Sequence, residues 1–367
     1  MFVLISAPIL RLSDPMKKLL TIALLLATTS SLFAQQSDKY KREAETVTDY
    51  IQEKFYDSKS GVYYKTTKHE RLDWVWLQSV MFANLAAAAR IEPEKYGDKL
   101  DAYFKALDGY WDDKAEIPGY EPGLTKGNGH DKYYDDNAWL AIAFVEAYET
   151  NKDARYLKRA DATQTFVLSG WDDEIGGGIW WHERHKDGTK NTCANGPAAV
   201  GCLVLAEHEP QKSAALIQKA RDIVAWTNSA LQDDDGLFDD RKVVATGEIK
   251  RGKLTYNSAL MLRANLGLYK ATGEKAYLDE AIRIGKAADW FLDENTGVYR
   301  DALRYCHFMI EADLELYAET GDTHYLKRAQ HNVDELYARW EANRPDDMMS
   351  SACLARVLWL MSEVEVK

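Results

Sequence analysis

Asp135 and Asp136 stand side by side in the segment Tyr133-Tyr134-Asp135-Asp136-Asn137-Ala138-Trp139. Paired carboxylates are what glycoside cleavage requires. One attacks or stabilises the anomeric carbon while the other protonates the departing oxygen. Crowding the two groups in a cavity raises one proton affinity, which keeps that member acidic near neutral pH. Neighbours on a helix point about 100° apart, enough to spread both carboxyl groups around one sugar. A separation of about 5 to 5.5 Å suits a retaining displacement. Aspartates at a helix start also have a structural use, since free amides and the helix dipole favour a carboxylate there. Asp112-Asp113, Asp172-Asp173, Asp239-Asp240 and Asp346-Asp347 are internal controls for that use. The pair at 135–136 differs from them in its surroundings. It follows a Gly-rich loop (Gly127-Asn128-Gly129), is flanked by aromatics and leads into an apolar helix.

Other chemistries find less support. His182 and His185 lack a third ligand at metal-binding spacing and are expected to be solvated loop residues. Cys193, Cys202, Cys306 and Cys353 show no Cys/His zinc spacing and are expected to be buried thiols. No metal and no cofactor is implied.

The elements that must position the aspartates are helices. Three stretches, YETNKDARYLKRA from Tyr148, YKATGEKAYLDEA from Tyr269 and YAETGDTHYLKRA from Tyr317, repeat one pattern. Each reads as a helix ending in an aromatic, a tight polar turn, and a new helix whose Tyr-Leu returns to the core. Extending the 3.6-residue period predicts helices near 38–55, 72–90, 94–112, 133–150, 153–170, 195–207, 210–231, 255–271, 275–294, 303–319, 323–343 and 348–364. No stretch sustains β alternation. Gly61-Val62-Tyr63-Tyr64 and Gly178-Ile179-Trp180-Trp181 read as short loop ribbons. Twelve helices in six hairpins predict an all-α, single-domain (α/α)6 toroid.

Connections alternate between short turns and long loops rich in Gly, Asp, Tyr and Trp, at 56–71, 113–132, 171–194 and 232–254. The long ones lead into the less charged member of each pair, so they gather on one rim at the N-terminal ends of an inner ring. Polar and aromatic residues cluster at those helix starts. Trp76, Tyr134, Trp180, Trp181 and Tyr256 are candidates to stack on sugar rings, and Gln78, Asn195 and Asn257 to bind hydroxyls. Arg304-Tyr305 and Asp346-Asp347 stand at the last two starts.

Four motifs together resemble glycoside hydrolase family 76: Tyr-Asp-Asp-Asn-Ala-Trp at 134–139, Gly-Gly-Ile-Trp-Trp at 177–181, Asn195-Gly196-Pro197 and Thr255-Tyr256-Asn257. The resemblance spans most of the chain, in order. It implies an (α/α)6 fold and a retaining endo-α-1,6-mannanase working by double displacement on α-mannan polysaccharide or oligosaccharide. Asp135 would be the nucleophile and Asp136 the general acid/base. Asn191-Thr192-Cys193-Ala194 departs from the family's usual form, which bears on fine specificity. Alternatives within the fold are an unsaturated uronyl hydrolase, needing a basic site for which Arg304 is the evident candidate, and an epimerase, needing inward histidines. A noncatalytic mannan-binding protein is the alternative from another class.

Bulk properties agree with a sugar substrate. Of 367 residues 46% are hydrophobic, enough for a large core, and 11 Trp with 21 Tyr supply aromatic faces. A net charge of -12 argues against a nucleic-acid partner, whose phosphates need Lys and Arg. Lys17 and Lys18, the apolar run Leu19 to Ala27, and Leu32-Phe33-Ala34 before Gln35 read as a cleaved signal peptide. Met16 is the expected start, making 1–34 an upstream extension plus signal and 35–367 the catalytic domain. An exported periplasmic or extracellular protein is expected, favoured as a monomer, with no membrane span.

Overall fold

The computed structural model describes residues 14–365, with side chains from residue 35 onward. The expected upstream extension to residue 13, and the side chains of the expected signal segment, lie outside the described residues. Twelve α-helices follow in order. They are α1 (Asp14–Phe55), α2 (Val75–Ile91), α3 (Pro93–Ala106), α4 (Tyr134–Asn151), α5 (Ala154–Ser169), α6 (Thr192–Ala206), α7 (Ser213–Leu231), α8 (Thr255–Thr272), α9 (Lys275–Ala287), α10 (Leu303–Thr320), α11 (Thr323–Ala342) and α12 (Met348–Ser362). None of the described helices is long and apolar enough to cross a membrane.

The even-numbered helices close a ring, each touching the next from α2 through α4, α6, α8 and α10 to α12 and back to α2. The odd-numbered helices form the outer layer, with α3, α5, α7, α9 and α11 each against its preceding or following inner partner and α1 against α12. This is the expected (α/α)6 toroid. Inner helices are apolar nearly all round because both faces are covered, as in α12, where Met348, Leu354, Val357, Leu358 and Trp359 are all fully buried.

The repeated turn has a specific job. Lys152, Gly273 and Gly321 adopt left-handed φ of 60°, 73° and 72°, and their N–H groups donate to the carbonyls of Tyr148, Tyr269 and Tyr317. The repeat's first tyrosine is therefore the last carbonyl to be capped. Asp153 and Asp322 then cap the next helix, accepting from the N–H groups of Arg155 and His324 at 3.0 Å.

A second repeat appears at the long-loop rim. As the chain leaves five outer helices it forms a narrow ribbon, bridging Tyr56 to Tyr63, Trp111 to Tyr120, Trp171 to Ile179, Gln232 to Phe238 and Leu292 to Tyr299. A polar side chain from a helix pins the returning residue's main chain. Gln78 holds Tyr63, Asn137 holds Tyr120, Asn195 holds Ile179, Ser258 holds Phe238 and Asn332 holds Tyr299. A carboxamide suits this work because it offers a donor and an acceptor to one peptide unit. Asn195 accepts from the Ile179 N–H at 2.8 Å and donates to the Ile179 carbonyl at 3.1 Å and the Asn191 carbonyl at 2.8 Å. Asn195→Ala would strand these buried groups at about 1–3 kcal/mol each. A fall in the denaturant midpoint is expected, large beside any change in KM.

The sixth helix begins earlier than the expected 195, at Thr192. Asn195-Gly196-Pro197 reads as punctuation, yet the helix runs through it. Gly196 is required by contact, since a Cβ there would lie 2.8 Å from the Leu260 Cβ of α8. Pro197 gives up one helical hydrogen bond in the second turn.

Candidate active site

The first turn of α4 delivers Asp135 and Asp136 to a cavity of about 330 Å³ at the rim where the inner helices begin. Trp74 and Trp76 from the α2 start, Pro122, Tyr133 and Trp139 form part of its wall. Trp181, Asn191, Cys193, Asp240, Arg241, Tyr256 and Tyr305 complete it. Long loops and helix N-termini both contribute, as expected for this rim.

The two carboxyl groups live in different surroundings. Asp135 Oδ2 accepts from the Trp181 indole at 3.0 Å and lies 3.4 Å from the Cys193 sulfur, while Oδ1 accepts from the Asp136 N–H at 2.9 Å. Burial raises the Asp135 carboxyl to about 6, and these donors limit the rise. Asp136 has no such relief. Burial and then the charge of Asp135 hold its carboxyl well above the usual range. The capping use of the pair is present in the Asp135 bond to a free amide, but it engages one oxygen of four.

Tyr256 and Tyr305 stack with centroids 5.1 Å apart, and Tyr305 stacks on Trp76 at 6.3 Å, so three inner helices build one aromatic wall. Trp139 stacks on Phe308 at 4.0 Å beside the pair. Trp74 is 56% exposed at the lip. Arg241, the cation of the wall, is paired with Asp240.

Of the expected substrate contacts, Trp76, Trp181 and Tyr256 line the cavity. Gln78, Tyr134, Trp180, Asn195 and Asn257 do not, and the reasons are geometric. Trp180 and Trp181 follow one another along an extended ribbon, where neighbours face opposite ways. Trp181 therefore reaches Asp135, while Trp180 turns away to stack on His185 at 4.1 Å and donate to Asp172 at 2.6 Å. Tyr134 is buried against Phe166, its ring 4.9 Å away, and over Gly170, where a Cβ would come within 2.8 Å. Gln78 and Asn195 are spent on the ribbon clamps, and Asn257 is fully buried behind the wall.

Sequence reasoning did not assign Trp74, Tyr133, Trp139, Cys193, Asp240, Arg241 or Tyr305 to the site. Most were within view, at helix starts or in the long loop before α8. Asp240 looked like one member of a control pair, and Arg304, the expected rim cation, is exposed and off the wall. The other controls have structural work. Asp347 caps α12 by accepting from the Ser350 N–H at 2.8 Å, Asp346 accepts from the Thr67 N–H at 3.1 Å, and Asp172 pairs with Lys190 at 2.5 Å. The His182 ring lies 3.0 Å from Asp131 and is buried, contrary to a solvated loop position. All four cysteines are buried free thiols.

Comparison with known proteins agrees with this fold. A GH76 α-mannanase from Bacteroides thetaiotaomicron superimposes with a TM-score of 0.82 at 24% identity, covering 89% of this chain and 95% of that one. An inactive variant of the GH76A α-1,6-mannanase of Salegentibacter sp. HEL1_6, with two consecutive aspartates replaced by asparagine, was solved with α-1,6-mannotriose. It superimposes with a TM-score of 0.74 at 22% identity, covering 88% of this chain and 99% of that one. The cellobiose 2-epimerase of Bacillus thermoamylovorans shares the fold with a TM-score of 0.69 at 13% identity, covering 88% and 98%. No curated protein matches. The sequence model of glycosyl hydrolase family 76 matches residues 39–305, and with the toroid and the aspartate-bearing cavity this places the chain in that family of glycoside hydrolases.

Proposed function

We propose that this glycoside hydrolase is an endo-acting, retaining enzyme that cuts α-1,6-mannosidic linkages in mannan backbones, and that it is exported to the periplasm or beyond. The observation that carries the mechanism is the donor asymmetry of the pair. Asp135, with an indole, a thiol and an amide directed at it, is the member of the pair better stabilised as the anion. Asp136, burdened by burial and by that anion, keeps its proton. Opposed environments of this kind sort a carboxylate pair into nucleophile and acid.

In the first step an Asp135 oxygen forms a bond to the anomeric carbon as the glycosidic bond breaks, and Asp136 passes its proton to the departing oxygen. In the second, Asp136 takes a proton from water, the water oxygen attacks the same carbon, and Asp135 leaves as a carboxylate. Trp76, Trp181, Tyr256 and Tyr305 offer aromatic faces for the apolar sides of mannose rings. The two α-1,6-mannanase features among the structural relatives, a bound mannotriose and a paired-aspartate substitution that accompanies inactivity, support the linkage and the pair.

The rival readings fit the cavity less well. Among the described residues no histidine lines it, whereas an epimerase needs inward histidines. Its wall carries Asp135, Asp136 and Asp240 against Arg241 alone, and Arg241 is already paired, which disfavours an acidic sugar.

Incubating the purified protein with linear α-1,6-mannan should release short oligosaccharides in the presence of chelator. The anomeric proton signal of the first product should carry the α configuration. An inverted product overturns the retaining mechanism, and absence of product at every chain length overturns the function.

A further inference from the structure

Two donors of different strength meet at Asp135 Oδ2. The Trp181 indole stands 3.0 Å away and the Cys193 sulfur 3.4 Å away. Cys193 comes from the first turn of α6, is 4% exposed and lines the cavity. The Tyr256 hydroxyl of α8 interacts with the same sulfur. A thiol is a weak donor, whereas an indole N–H is a full one.

We infer that Cys193 is a positioning residue for the displacement, its neutral S–H holding the Asp135 carboxylate in line for attack while withdrawing little of its charge. The inference rests on Asp135 being the nucleophile. An attacking carboxylate gives its negative charge to the new C–O bond, so every donor stabilises the waiting anion more than the transition state. A strong donor would orient Asp135 and also weaken it as a nucleophile. The S–H bond fixes the rotamer at a smaller cost in reactivity, and Trp181 supplies the one full donor from a side chain. Burial, together with the charges of Asp135 and Asp240, keeps the Cys193 thiol protonated, so it donates and does not compete as a nucleophile.

The titratable and charged groups around Asp135 are Tyr133 and Asp136 at the α4 start, Asp240 and Arg241 from the loop before α8, Cys193 of α6, Tyr256 of α8 and Tyr305 of α10. Replacing Cys193 changes a donor to Asp135 and the sulfur partner of Tyr256, and leaves the remaining groups in place. The signs of the two obvious substitutions therefore differ. Cys193→Ser substitutes a stronger donor, favours the Asp135 anion and lowers the pH at which it is protonated. Cys193→Ala removes the donor and raises that pH.

The test is the pH dependence of kcat/KM on linear α-1,6-mannan for the wild-type protein and both variants, with a melting curve for each. Activity requires ionised Asp135, so the acid limb reports its protonation, shared with Asp136 as a pair. The limb is expected to move down by about half a pH unit or more in Cys193→Ser and up by a similar amount in Cys193→Ala. A role in packing alone would lower the melting temperatures and leave both limbs where they were. Limbs that stay put, or move in the same direction, overturn the inference. Should Cys193→Ala melt below the assay temperature, Cys193→Ser decides alone, and an unmoved limb in that variant refutes the role. A wild-type protein inactive on this mannan would instead refute the proposed function.

Discussion

Asp135→Asn and Asp136→Asn are each expected to lower hydrolysis of α-1,6-mannan by about 10³-fold or more, with little change in melting temperature. Asparagine keeps the shape of the side chain, and at a helix start it serves as well as aspartate. Removing one carboxylate from a crowded pair also relieves repulsion, which offsets the lost contacts. The two variants should fail differently. Asp136→Asn lacks the acid, so its defect should shrink on an aryl mannoside whose leaving group departs without a proton. Asp135→Asn lacks the attacking oxygen and should fail on every substrate. Asp347→Asn is the control, because Asp347 accepts from the Ser350 N–H and stands away from the cavity. It should retain both activity and stability. Early melting with activity intact in either cavity variant would show that the pair only caps α4.

The largest loss of stability is expected from Arg356→Met, about 3–5 kcal/mol in a denaturant titration. Arg356 of α12 is 7% exposed and bonds Glu146 of α4 at 2.5 Å and Glu311 of α10 at 3.3 Å. Arg263 of α8 lies 3.7 Å from Glu311, and Arg90 of α2 bonds Glu146 at 2.7 Å. Five inner helices thus meet through charge on the toroid's axis. The network lies several helical turns from the Asp pair, since Glu146 is ten residues beyond Asp136, roughly 15 Å along the helix. Between them stand Trp139 and Phe308. Deleting Arg356 leaves two buried carboxylates short of a partner, which costs more than the intact network contributes. Burial alone would raise the proton affinities of Glu146 and Glu311. The arginines outweigh it and hold both low. Carboxylates so depressed contribute stability above their unfolded value of about 4.3 and lose it as the pH falls through the folded value. Acid should therefore destabilise the wild-type protein more steeply than Arg356→Met. Equal stability of the two proteins at neutral pH would refute the role of the axial network.

Much of this protein was legible in one dimension. The Tyr148, Tyr269 and Tyr317 repeats marked helical hairpins because a left-handed cap and a returning Tyr-Leu are local events, written within a dozen residues. All twelve helices and the closed ring followed from period and loop length. Asp135 and Asp136 stood out because an apolar inner helix follows them and aromatics flank them. Two of the five ribbons, at Gly61-Val62-Tyr63-Tyr64 and Gly178-Ile179-Trp180-Trp181, were legible as short loop ribbons, but their recurrence was not, because each is only a residue or two of pairing.

What sequence could not decide was which way each side chain faced. The Trp180-Trp181 doublet was divided by strand alternation, and the Tyr133-Tyr134 doublet by the turn of a helix. Gln78 and Asn195 had the chemistry to bind sugar hydroxyls, but main-chain groups folded against them claimed it first. Asp240, Arg241, Cys193 and Tyr305 reach the cavity from three separate segments, a proximity that exists only once the ring has closed. The amino-acid sequence determined the ring and the pair, because periodicity and capping act along the chain. Tertiary structure decided which of the candidate side chains, beyond Trp76, Trp181 and Tyr256, form the wall around the pair, because burial and hydrogen-bond competition act across the chain.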